Sequence, residues 1–111
     1  MAKVTCTTEG FTDNWIELSE AWTRREVKEL DGSNIAEVLA ILRRKATACN
    51  IILSTGEIVT EVTRLTEDGL EDCDQQVWGF ILGCQFRAVA ALQALGNFSV
   101  RLSSDSVAKL R

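Results

Sequence analysis

The sequence predicts an α+β fold, and three observations predict it. Apolar and polar residues alternate at positions 3–8 and again at 14–19, the two-residue period of half-buried strands. Thr23-Arg24-Arg25-Glu26 fits T-x-x-E, a capping box that satisfies two backbone donors at a helix start. Positions 77–95, VWGFILGCQFRAVAALQAL, place apolar residues at helical spacing with only Gln85, Arg87 and Gln93 polar. Together these give one α+β domain over residues 1–103. It comprises an N-terminal β-hairpin, two shorter helices, a small second hairpin and one long apolar helix, followed by a mobile C-terminal tail at 104–111.

In the first strand Val4 and Cys6 alternate with threonines, and Glu9-Gly10 begins the turn. The chain returns with Ile16 and Leu18 on one side, Glu17 and Ser19 on the other; Trp15 and Trp22 flank the passage into the first helix. That helix runs from about Arg24 to Leu30 and stops at Asp31-Gly32, where glycine suits a C-cap. Ser33 caps the second, over residues 34–48, whose apolar face is Ile35, Val38, Leu39, Leu42, Ala46 and Cys49. Residues 50–62 read as two short strands around Ser54-Thr55-Gly56-Glu57. A polar connection opens at Thr66, with one helical turn near Leu70, and acidic residues 71–74 lead into the last helix, which stops at Gly96-Asn97. Phe98, Val100 and Leu102 then alternate with Ser99, Arg101 and Ser103 as a final strand. Ile16, Leu18, Leu39, Leu42, Phe80 and Ile81 are expected in the core.

The chain has no proline and no histidine. Lacking histidine, it lacks the commonest general base and the commonest metal ligand, so acid–base chemistry would need carboxylates or lysine. Its net charge of −4 argues against a polyanion-binding surface. Charge is uneven: residues 46–76 hold 7 acidic and 1 basic side chain, residues 77–111 hold 1 and 4. The four cysteines are widely spaced without a C-x-x-C, and MAKVTC lacks the apolar core of a secretory signal. Free buried thiols in a reducing cytoplasm are expected rather than disulfides or a zinc site.

Each candidate site meets a simpler explanation. Glu67, Asp68, Glu71, Asp72 and Asp74 do not follow the ligand spacing of a calcium loop; carboxylates ahead of a long helix oppose the positive end of its dipole. Arg43-Arg44-Lys45, with Arg24, Arg25 and Lys28, sits among as many acidic residues and reads as a solvated or ion-paired face. No serine, threonine or lysine has an activating partner in sequence, and no phosphate loop or dinucleotide fingerprint occurs. Gly79 and Gly83, four apart, permit a close approach of another helix or a sheet, and Arg87 argues against a membrane span. The sequence thus predicts a protein that is no enzyme and has no cofactor or metal. The last helix is expected to serve the core on one side and a protein partner on the other.

Trp15-Ile16-Glu17-Leu18 followed by Trp22-Thr23-Arg24-Arg25-Glu26 resembles the opening of small tailed-bacteriophage morphogenesis proteins, a W-[VI]-E-[LIV] strand before a threonine-capped, charge-rich helix. The later order is also similar: an amphipathic helix, a glycine turn, a Leu-Thr-x-x-x-Leu segment at Leu65–Leu70 and an acidic start to a final helix. Tail assembly chaperones share this layout. The resemblance implies a non-enzymatic chaperone in the host cytoplasm, one that binds a larger tail polypeptide during virion assembly. Trp15, Trp22, Trp78 and Phe86 are its candidate contacts. The alternatives are a homo-oligomeric neck or tail component of the virion, in which Phe98, Val100 and Leu102 add a strand to a neighbour, and a host-directed protein-binding regulator. All three bind protein, whether self or another chain, and neither nucleic acid nor membrane.

Overall fold

The computed structural model describes residues 2–103, with side chains described over 3–92. Its elements are β1 (Ala2–Thr5), β2 (Trp15–Leu18), α1 (Arg24–Asp31), α2 (Ile35–Lys45), β3 (Ala46–Ile52), β4 (Ile58–Val59) and α3 (Gln75–Ser103), with a 3-10 turn at Val62–Arg64. The strands form one antiparallel sheet in the order β1-β2-β3-β4. The class is α+β, as the alternating and helical periods predict.

Register puts Val4, Ile16 and Cys49 in one row across the sheet, and Thr5, Trp15 and Asn50 in the next. Successive rows face opposite ways. The inner face therefore collects Val4, Ile16, Leu18, Cys49, Ile51 and Val59, all buried. They share one core with Leu39 and Leu42 from α2 and Val77, Phe80, Ile81 and Cys84 from α3. The six residues expected in the core are all there.

Both short helices start with reciprocal caps. Glu26 N–H donates to Thr23 Oγ1 at 3.1 Å while Thr23 N–H donates to Glu26 Oε1 at 2.8 Å. Asn34 and Glu37 repeat the arrangement at 2.9 Å each way. Asn34, not Ser33, is thus the second cap; the Ser33 hydroxyl instead donates back to the Glu29 carbonyl. Gly32 ends α1 at φ −98°, an ordinary right-handed conformation that any residue adopts. Positive φ occurs at Gly10 (+91°) and Gly56 (+95°), in the two hairpin turns.

Three elements differ from expectation. The second helix ends at Lys45 rather than Ala48, because Ala46 turns directly to extended backbone (φ −76°, ψ 139°) and β3 begins. Ala46 and Cys49 fit helical spacing, but pairing with β2 offers their backbone a ladder, and Thr47 is taken up by a bulge between Glu17 and Leu18. The last helix does not stop at Gly96-Asn97; helical backbone continues to Ser103. The expected strand over Phe98, Val100 and Leu102 is therefore absent, since a helix satisfies its own backbone groups while a lone strand needs an edge to pair with. The side chains of Phe98, Val100 and Leu102, and the whole tail at 104–111, lie outside the described residues. Finally, the segment after Ile58–Val59 tightens into the 3-10 turn, and a single helical bond, Leu70 N–H to the Thr66 carbonyl at 3.1 Å, marks the turn expected near Leu70.

Two buried amides stitch elements together. Asn14 Oδ1 accepts from Ile52 N–H at 2.7 Å while its Nδ2 donates to the Phe11 carbonyl at 3.0 Å, extending the β2–β3 pairing beyond the ladder. Gln85, fully buried, donates through Nε2 to the Val38 carbonyl at 2.8 Å, tying α3 to α2; its Oε1 has no partner. Gly69 has a steric reason to be glycine: a Cβ there would collide with the Arg64 carbonyl oxygen.

Gly69→Ala is expected to lower stability by about 1–3 kcal/mol in urea unfolding, because the clash is with backbone that cannot rotate away. Gln85→Met, which removes an unsatisfied acceptor at similar volume, should change stability by less than about 1.5 kcal/mol, whereas Gln85→Ala should cost about 2 kcal/mol or more by leaving a cavity.

Candidate interaction surface

Helix α3 is two-sided. Val77, Phe80, Ile81, Cys84, Ala88 and Val89 are buried against the sheet and α2. The opposite stripe runs Gly79, Gly83, Phe86, Ala90, spaced four, three and four residues apart as on the seam of a helix pair. Phe86 is 41 % exposed, and nothing lies within 4 Å of where a Cβ would stand on Gly79 or Gly83. No described residue uses the close approach these glycines allow. The one charged residue of α3 between Gln75 and Leu92 is Arg87, whose guanidinium donates to the Thr5 carbonyl at 3.2 Å. An uncharged helix face carrying a large exposed aromatic is not the usual solvated kind.

Trp22 is half-buried between α1 and α3, packed with Val27 and Leu82 against Leu30, Val38, Ile41 and Val89. Its indole Nε1–H donates to the Ser19 carbonyl at 2.9 Å. Lys45 holds it from the other side: the ammonium sits 4.9 Å from the ring centroid, donates to the Ala21 carbonyl at 2.7 Å and pairs with Glu26 at 2.8 Å. Beside Trp22 opens a cleft of about 490 Å³ floored by Val27, Val89 and Leu92 and rimmed by Arg24 and Lys28.

The other candidates are dispersed. Trp15 lies on the outer sheet face under Lys3, whose ammonium is 4.4 Å from its ring. Ile52 and the exposed Ile58 are cross-strand partners on β3 and β4. Trp78 leans on the main core with one edge open beside Glu67, Asp68 and Glu71. The four aromatic candidates therefore do not converge on one patch: Phe86 is exposed, and Trp15, Trp22 and Trp78 are half-buried.

The basic run separates on folding. Arg43 donates to the Leu65 carbonyl at 2.8 Å, Arg44 faces Glu29 at 3.7 Å and Lys45 takes Glu26. Asp74 is used locally, its Oδ1 accepting from Gln76 N–H at 2.8 Å at the start of α3. Among the described residues no group of three His, Cys, Asp or Glu side chains could hold a metal ion, and no helix is long and apolar enough to cross a membrane. All four cysteines are free. Burial pushes the Cys84 thiol up to about 12, and burial with the Asp74 charge pushes Cys73 up to about 11, so neither is a ready nucleophile. Sequence reasoning read Lys45 only as part of a solvated or ion-paired basic face and passed over Leu92, because the Trp22–Glu26 site that Lys45 serves and the cleft that Leu92 lines form only when distant elements pack.

The hydrogen bonds from Lys45 and from the Thr23 amide hold the Glu26 carboxyl down at about 2 against an ordinary 4.5. A depressed carboxyl stabilises the fold above its unfolded value and loses that contribution as pH falls. Stability should therefore decline from pH 4.5 toward about 2, and Glu26→Gln should flatten that part of a plot of unfolding midpoint against pH.

Compared with known proteins, the chain matches no family model, no curated protein and no solved structure.

Proposed function

We propose that this chain is a non-enzymatic assembly protein that binds and shields an apolar helical segment of a larger polypeptide. The observation that carries the reading is the open face of α3. Glycine costs a helix about 1 kcal/mol relative to alanine, and among the described residues Gly79 and Gly83 return none of it through packing. A client helix laid along the stripe would approach the bare backbone at the two glycines and cover Phe86. The likeness of Trp15–Glu26 to tail assembly chaperones gives the client its class, a bacteriophage tail polypeptide met in the host cytoplasm. The acidic surface around residues 67–72 would keep such a loaded chain soluble.

A second reading, a homo-oligomeric neck or tail component of the virion, is favoured by the acidic turn beside Trp78 and the cationic rim of Arg24 and Lys28 beside Val89 and Leu92. The two part on stoichiometry, since a chaperone leaves the finished particle and a component stays in it.

Gly79→Ala with Gly83→Ala is expected to stabilise the isolated chain by about 1–2 kcal/mol in total while weakening client binding about tenfold or more. Phe86→Asp should leave stability within about 0.5 kcal/mol of the parent and abolish co-purification of a co-expressed tail polypeptide. Parental capture by both variants would overturn the reading.

A further inference from the structure

We infer that the α1–α3 cleft receives the acidic turn of a second copy of this chain, with the open edge of Trp78 at the centre of the contact, so that copies join head to tail. The cleft offers an apolar floor, Val27, Val89 and Leu92, beneath a rim whose charged members are Arg24 and Lys28, with no carboxylate among its described lining residues. Arg24, Arg25 and Lys28 make no ion pair among the described residues; of the three acidic members of α1, Glu26 and Glu29 are drawn away to Lys45 and Arg44, and Asp31, the last residue of the helix, does not line the cleft. The complementary surface is on the same chain. Glu67, Asp68 and Glu71 surround the exposed edge of Trp78, and none of the three is ion-paired among the described residues.

The two patches cannot neutralise each other within one molecule. Trp78 and the Val89–Leu92 turn are about 18 Å apart along α3 at the helical rise, beyond the roughly 8 Å screening length at physiological salt. Between molecules they fit in sign and in kind: carboxylates meet two unpaired cations, and an indole edge meets an apolar floor and a cationic rim. The surfaces differ, so the contact is heterologous and leaves a free acidic end and a free cleft at each terminus. It therefore propagates into a ring or an open filament. It does not use Phe86 or the glycine stripe, and stands or falls apart from client binding.

Light scattering after size-exclusion chromatography tests this on the full chain. At low salt the parent should gain mass with concentration, and about 1 M salt, where screening acts within about 3 Å, should return it to monomer. Arg24→Ser with Lys28→Ser, and separately Glu67→Gln with Glu71→Gln, should each weaken self-association about tenfold or more while keeping the parental unfolding midpoint. Mixed, the two variants should give a one-to-one complex that grows no further, because each retains one intact surface. A parent that stays monomeric at low salt, variants that associate like the parent, or loss of association through Phe86→Asp alone would overturn the proposal.

Discussion

A sheet whose edge strands have four and two residues does not hold itself together; what holds it is the laying of α3 across its inner face. Val77, Phe80, Ile81, Cys84 and Ala88 meet Val4, Ile16, Leu18, Cys49 and Ile51 in a continuous apolar layer, with Leu39 and Leu42 of α2 closing one side. Every other feature follows from this contact. It fixes which side of α3 is spent on the core and therefore which side faces out. It also brings α1 against the later turns of the helix and so creates the cleft beside Trp22.

Polar groups set the details of that packing. Gln85 reaches from α3 to a carbonyl of α2, an interaction with little net strength but definite geometry, which favours one rotation of α3 over its neighbours. Lys45 does the same for α1, gathering Glu26, the Ala21 carbonyl and the Trp22 ring around one ammonium. Asn14 fastens the first hairpin to β3 where the regular ladder ends. Each bond joins elements that are distant in sequence, so each resists sliding rather than merely adding stability.

The functional reading rests on an imbalance. Apolar and small residues occupy much of the α3 circumference, yet the domain covers only one side of it. Exposed glycine without strain or close packing is an expense to a monomer, and it acquires a purpose when another backbone lies against it. The separation of charge along the same helix is a second asymmetry, independent of the first. An end rich in carboxylates and a cleft with a cationic rim, neither ion-paired among the described residues, are ordinary on their own; on one chain they are complementary.

How far the sequence reached can be seen residue by residue. Local patterns carried the hairpin turns at Gly10 and Gly56, the Thr23–Glu26 cap and the burial of Ile16, Leu18, Leu39, Leu42, Phe80 and Ile81, because turn chemistry, capping and periodicity act over a few residues. They misplaced the end of α2 and the stretch over Phe98, Val100 and Leu102, where a helix and a strand compete and the outcome turns on whether a partner strand is within reach. Of the aromatic candidates, sequence named all and ranked none: Trp15, Trp22 and Trp78 differ from Phe86 only in what packs over them. By itself, then, the sequence determined the α+β class and the burial of the six residues expected in the core. Only tertiary structure decided that Gly79 and Phe86 stand exposed, that no described residue fills the space ahead of Gly83 and that Arg24 and Lys28 rim a cleft, since exposure is a property of distant neighbours and not of the residues themselves.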